Sequence, residues 1–104
     1  MEQYLYKLRL KAHFLERESW TQTAEEIISR HFARLKEYTE EGKVILAGRT
    51  LNDDETGFGI VIFEAENKTS AEQFMRDDPA ISEGMMEGDL FPYRVALMRE
   101  GKSR

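Results

Sequence analysis

The sequence predicts an α+β domain of the ferredoxin-like kind, an antiparallel sheet built in the order β-α-β-β-α-β with both helices on one face. Three observations predict it. Stretches of period two and stretches of helical period follow one another in that order. Each helical stretch opens on a capping signal and ends at a glycine or just before a proline. The two halves, each strand-helix-strand, are joined by one short polar turn.

The elements follow from the residues in order. Tyr4, Tyr6, Leu8 and Leu10 alternate with Leu5, Lys7, Arg9 and Lys11, giving a strand with one apolar and one largely basic face. Residues 12–22, AHFLERESWTQ, form a connection. Its Phe14 and Trp20 are too apolar to leave in water and are expected to fold back, while His13 is read as exposed. Thr23 with Glu26 three residues on is a capping-box start for the first helix, and Ser19 with Gln22 is a competing one. Ala24, Ile27, Ile28, Phe32, Leu35 and Tyr38 fall in an arc of roughly 140° and predict its buried stripe. His31 lies within that stripe, whereas Arg30, Arg34, Lys36 and Glu37 fall outside it and are expected in solvent. Gly42 supplies the left-handed stop.

Val44–Leu51 reads as the second strand, with Gly48 marking a bulge or close approach. The turn Asn52–Gly57 carries three acids, but not the ligand spacing of a calcium loop. Phe58–Ala65 is the third strand. Ser70 with Gln73 caps a second helix that uses Phe74 and Met75 as apolar contacts and stops near Asp77 and Asp78. Asp78 can cap a short new helix with Pro79 at its first position. Ile81–Leu90 reads as a linker. Phe91–Arg99 reads as the last strand, placed at an edge by Pro92. Residues 1–99 are thus expected to form one domain, and residues 100–104 a frayed tail.

The runs Val44–Ala47 and Ile60–Phe63 are continuously apolar, whereas a sheet half-open to water would alternate. The open face is therefore expected to be covered by the same face of a second copy, which makes the protein a homodimer.

Composition narrows the function classes. A chain of 104 residues is the size of one domain. A formal charge of −5 argues against a non-specific polyanion binder. With no cysteine there is no disulfide, thiolate nucleophile or Cys-ligated metal. No apolar run is long enough to span a bilayer, and the N-terminus alternates where a signal peptide would be uniformly apolar. These features fit a cytoplasmic protein without a membrane partner.

Gly57-Phe58-Gly59-Ile60-Val61-Ile62-Phe63 resembles the signature of RNA-recognition motifs, which share this chain order. Thr56 stands where that signature has a basic residue, however, and Ile60 where it has a stacking aromatic. Stacking contributes about 1–3 kcal/mol per base, so the missing platform and the acidic chain both argue against nucleic acid.

A broader resemblance runs from His31 to Thr50 (HFARLKEYTEEGKVILAGRT), through Asp77–Gly84 (DDPAISEG), to Phe91–Val95 (FPYRV). His31, Leu35, Gly42, Gly48, the Asp78-Pro79 pair and Pro92 occur there in the order seen in the YCII-related family, which this chain resembles. Many members carry a proline where this chain has Arg49. The resemblance implies a dimeric α+β barrel. It also implies an active site built on a histidine and an aspartate, which map to His31 and Asp78. A few relatives act on small, often aromatic, ring compounds in lyase- or isomerase-like steps.

Two readings of His31 stand at this level. It is either a core histidine satisfied by one hydrogen bond, or a general acid or base tuned by a carboxylate. Asp78 likewise either caps the Pro79 helix or orients His31. Arg9, Arg49 and Arg94 lie on three strands, and any two that converge would favour an anionic substrate; Arg9 and Arg49 are the candidate substrate-binding residues. There is no phosphate-cradling loop, HExxH motif or Gly-x-Ser-x-Gly elbow, so no cofactor or metal is expected. The leading functional expectation is general acid-base chemistry on a small aromatic or anionic compound. The alternative is a non-catalytic ligand-binding or interaction dimer.

Overall fold

The computed structural model describes residues 1–101; the end of the expected tail, 102–104, lies outside the described residues. Four strands, β1 (Glu2–Leu10), β2 (Val44–Arg49), β3 (Gly59–Ala65) and β4 (Met86–Pro92), form one antiparallel sheet in the order β2-β3-β1-β4. Helices α1 (Gln22–Glu41), α2 (Lys68–Arg76) and the short α3 (Pro79–Ser82) complete the ferredoxin-like arrangement.

The alternation of β1 decides which face carries the helices. Tyr4, Tyr6 and Leu8 are buried, and their register partners Phe63, Val61 and Gly59 share their side. Leu35 of α1 with Ala71 and Phe74 of α2 closes over them to make the main core. Phe74 sits at its centre, with ring centroids 4.6 Å from Phe63, 5.0 Å from Tyr38 and 6.3 Å from Tyr6. A second cluster of Ala24, Ile27 and Met85 is covered by Phe14 and Trp20, so the connection does fold back. Trp20 is fastened there by its indole N–H, which donates to the Phe14 carbonyl at 2.7 Å.

The α1 start falls between its two candidate capping boxes, two residues before Thr23 and two after Ser19, and the α2 start lies earlier than its Ser70 box. Thr21 caps α1 by accepting from the Ala24 N–H at 3.2 Å, and Asn67 caps α2 by accepting from the Ser70 N–H at 2.8 Å. In each case a good capping side chain lies just upstream, and the longer helix gains further backbone hydrogen bonds. Gly42 ends α1 at φ 93°, as expected.

The buried stripe of α1 is rotated relative to the sequence expectation. Phe32 is 67% exposed, while Arg34 is half-buried. Arg34, Ile27, Tyr38, His31, Leu35 and Ile28 form an arc of about 120° with His31 near its middle. Arg34 belongs there because its guanidinium stacks on the Phe74 ring, 4.4 Å from the centroid.

The irregularity in β2 lies between Val44 and Leu46, not at Gly48, which pairs regularly with Ile60. The last strand is Met86–Pro92; it begins inside the expected linker and shares only Phe91 and Pro92 with the expected strand, while Tyr93–Arg99 lies outside the sheet. Gly88 explains the difference. A Cβ there would lie 2.5 Å from Ile81 Cδ1 and 3.1 Å from Met75 Sδ, so the glycine lets β4 pass directly beneath α2 and α3. Its acids pair outward instead, Glu87 and Asp89 lying 3.7 and 3.4 Å from Arg9.

Candidate active site

Three elements converge beneath the middle of α1. The stripe that buries α1 turns His31 inward, leaving its side chain 15% exposed. Asp78 stands between α2 and α3, fully buried, where Pro79 forces an extended residue before the new helix. His31 Nδ1 lies 2.7 Å from Asp78 Oδ1 and 2.9 Å from Oδ2. Tyr6 reaches the same carboxylate from the core face of β1, and its hydroxyl donates to Oδ2 at 2.6 Å. The Ala80 N–H donates to Oδ1 at 2.9 Å. Asp78 therefore both caps α3 and holds His31, and the two roles posed as rivals by the sequence are one arrangement.

The charge state follows from this donor set. Burial alone would raise the Asp78 carboxyl, but the hydrogen bond and charge of His31, then the Tyr6 hydroxyl and the Ala80 N–H, outweigh it and hold the group below its ordinary range. Tyr6 moves the other way. Burial, then the charge of Asp78 and the bond to it, push the phenol far above its usual value, with Arg34 offsetting part of the effect. An ionised carboxylate only accepts, so His31 Nδ1 must carry the proton. The free lone pair is then on Nε2, and any imidazolium formed there has Asp78 as its counter-charge.

Two arginines frame the pair. Arg30, one residue before His31, forms a two-pronged ion pair with Glu83 just after α3. Arg34, one turn after His31, donates to the Phe74 carbonyl at 2.9 Å, while its Nη1 is buried and has no hydrogen-bond partner among the described residues.

The other sequence candidates lie elsewhere. Arg9 is on the open face with Glu87 and Asp89. Arg49 is exposed at the end of β2 and donates to the Thr50 carbonyl. Arg94 is exposed beyond β4. The structure thus brings His31 and Asp78 together but unites neither Arg9 nor Arg49 with them. His13 is exposed, with its ring edge-on to Phe14. An apolar hollow of about 210 Å³ over β2 and β3 is lined by Leu46, Gly48, Arg49, Thr50, Phe58 and Ile60. Among the described residues no cluster of three metal-ligating side chains occurs.

Sequence reading missed Tyr6 and Arg34. The signal for Tyr6 was present, since a phenol on the apolar face of a strand must find a buried partner. For Arg34 it was the spacing of three from His31, which places it on the same helix face.

A ferredoxin-like α+β domain that sinks a histidine-aspartate pair between its first helix and the loop after its second defines the class. Residues 7–91 match the YCII-related domain, and the chain belongs to that family. No curated protein sequence matches it. Among solved structures it resembles 5-chloro-2-hydroxyhydroquinone dehydrochlorinase (TftG) from Burkholderia phenoliruptrix AC1100, solved in complex with 2,5-dihydroxybenzoquinone. The identity is 19% and the TM-score 0.66, over 88% of this chain and 93% of that one. At that identity the likeness carries the fold.

Proposed function

We propose that this protein is a small-molecule enzyme that moves a proton on a compact, aromatic or anionic compound, in a lyase- or isomerase-like step, with His31 as the general base and Asp78 as the group that orients it. The observation that carries this reading is the carboxylate held on Nδ1 at 2.7 Å, which leaves Nε2 of a partly exposed imidazole as the basic atom. In the step, Nε2 takes a proton from a carbon or hydroxyl of the substrate. Asp78 stabilises the imidazolium, which returns the proton to the product or its leaving group. Family membership and a structural neighbour whose name is that of an enzyme acting on a chlorinated hydroquinone support the substrate class.

The test is ligand-detected at His31 itself. Wild type and His31→Gln, with ¹⁵N-labelled histidine in the former, are titrated with 2,5-dihydroxybenzoquinone and with benzoate. The expected result is a ligand-dependent shift of the His31 Nε2 signal, and turnover of hydroxyquinone-type substrates that His31→Gln loses by at least about 10²-fold. A His31 signal indifferent to every probe would sink the catalytic reading in favour of a structural pair.

The reading includes a homodimer joined through the open sheet face. Leu46, Phe58 and Phe91 are 44, 37 and 48% exposed there, and the Lys7 ammonium lies 4.6 Å from the Phe58 ring centroid. A contiguous apolar patch of this kind on a small domain calls for a partner of matching surface.

A further inference from the structure

We infer that Tyr6 is a third, positioning member of the site: its hydroxyl holds the Asp78 carboxylate in one orientation and limits how strongly that carboxylate draws on the His31 Nδ1 proton. This rests on the reading of His31 and Asp78 as a working pair, and it assigns a role to a residue that touches neither solvent nor substrate.

Asp78 receives three donors, His31 Nδ1, the Tyr6 hydroxyl and the Ala80 N–H. Two of them are held in place, the Ala80 N–H by the backbone of α3 and the Tyr6 hydroxyl by a fully buried side chain in the sheet-side core. Only the histidine arrives on a side chain with solvent access. The carboxylate plane is therefore set by Tyr6 and Ala80, and the imidazole is aligned to it.

At Oδ2 the Tyr6 hydroxyl and His31 Nδ1 both lie within hydrogen-bond reach, at 2.6 and 2.9 Å. A carboxylate oxygen that accepts a strong O–H donor has less negative charge to offer a neighbouring N–H. The phenol thus divides the charge of Asp78 between an inert partner and the reactive one.

The phenol ring packs edge-on to Phe63 at 5.7 Å and to Phe74 at 6.3 Å, and the Arg34 guanidinium stacks on that same Phe74 ring, 4.4 Å from its centroid. The charged groups facing the site are thus Asp78 from the α2–α3 loop, Arg34 from α1, and, at the rim, Arg30 with Glu83. Burial keeps the phenol protonated, so it meets Asp78 as a donor. Plain packing would be served as well by phenylalanine, whose ring is the same size and lacks only the atom that meets Asp78.

Tyr6→Phe tests the role, with Tyr4→Phe as its control. Tyr4 is buried on the same face of the same strand, but its hydroxyl donates to Glu2 at 2.8 Å, away from the site. The readout is the His31 Nδ1 proton resonance, which needs no substrate. Tyr6→Phe is expected to move it downfield, as the full charge of Asp78 falls on fewer donors, and Tyr4→Phe to leave it in place. An unmoved or upfield resonance in Tyr6→Phe overturns the proposal. Should Tyr6→Phe not fold, the wild type decides: a nuclear Overhauser effect between the Tyr6 hydroxyl proton and the His31 Nδ1 proton is expected, and its absence between two resolved signals overturns the proposal. Because catalysis is read separately through His31→Gln, an inactive protein with a shifted resonance sinks the enzymatic reading alone.

Discussion

At the scale of single residues, one carboxylate does the work of a helix cap and of a histidine partner. Asp78→Asn separates the two jobs. Asparagine is as good a cap as aspartate, so the Ala80 contact survives. The charge does not, and His31 is no longer obliged to keep its proton on Nδ1. The expected outcome is a folded variant in which the His31 tautomer is mixed by ¹⁵N shifts and activity falls by at least about 10²-fold. The pH dependence has a definite sign. The folded-state value of Asp78 lies below its unfolded value of about 3.9, so its contribution to stability is present above about pH 4 and lost as pH falls through the folded value. Tyr6 is the opposite case. Its value is raised on folding, so its contribution is intact below about pH 10 and declines as pH rises above that. Denaturant unfolding across pH should show wild type losing its advantage over Asp78→Asn only at the acid end, and over Tyr6→Phe only at the alkaline end.

At the scale of elements, the helices are placed by caps and by a glycine. Thr21→Ala should destabilise the fold by about 1 kcal/mol, whereas Thr23→Ala, on an exposed residue inside α1, should be near neutral; chemical denaturation of the two variants checks this. The helical periods, the Gly42 stop and the Asp78-Pro79 break were all legible in the sequence, because each depends on local chemistry. The true starts were not, since two capping patterns overlapped with better upstream caps at Thr21 and Asn67. The last strand was misread for a different reason. Met86–Leu90 does alternate, with Glu87 and Asp89 turned outward, but Gly88 stands at one of the inward positions and looks like a linker residue until Ile81 and Met75 are seen above it. Gly88→Val should press directly on those side chains and cost about 1–3 kcal/mol by denaturant titration, a penalty that a true linker would not show. The site was half legible on the same grounds. His31 and Asp78 stood out by residue type and position, whereas the partners of Tyr6 and Arg34, Asp78 and the Phe74 carbonyl, lie far along the chain and are named only by the fold.

At the scale of the whole molecule, the two faces of the sheet are built for different neighbours. The helix face is sealed by aromatic packing around Phe74, and its polar groups are drawn together at Asp78. The other face mixes an apolar strip, Leu46, Ile60 and Phe58, with the charges of Lys7, Arg9, Glu87 and Asp89. In the proposed homodimer a two-fold axis would set the basic row of β1 in one copy against the acids of β4 in the other. In that proposed homodimer the apolar strip would drive association and the charges would set its register. A glutamate at Leu46 would place an unpaired charge in the strip while leaving the His31 side of the sheet untouched. Leu46→Glu is therefore expected to convert a dimer into a monomer in sedimentation equilibrium, with the circular dichroism of the fold retained. A wild type that sediments as a monomer at all concentrations would rule out the second copy as the partner of this face. The apolar strip would then have to meet some other surface.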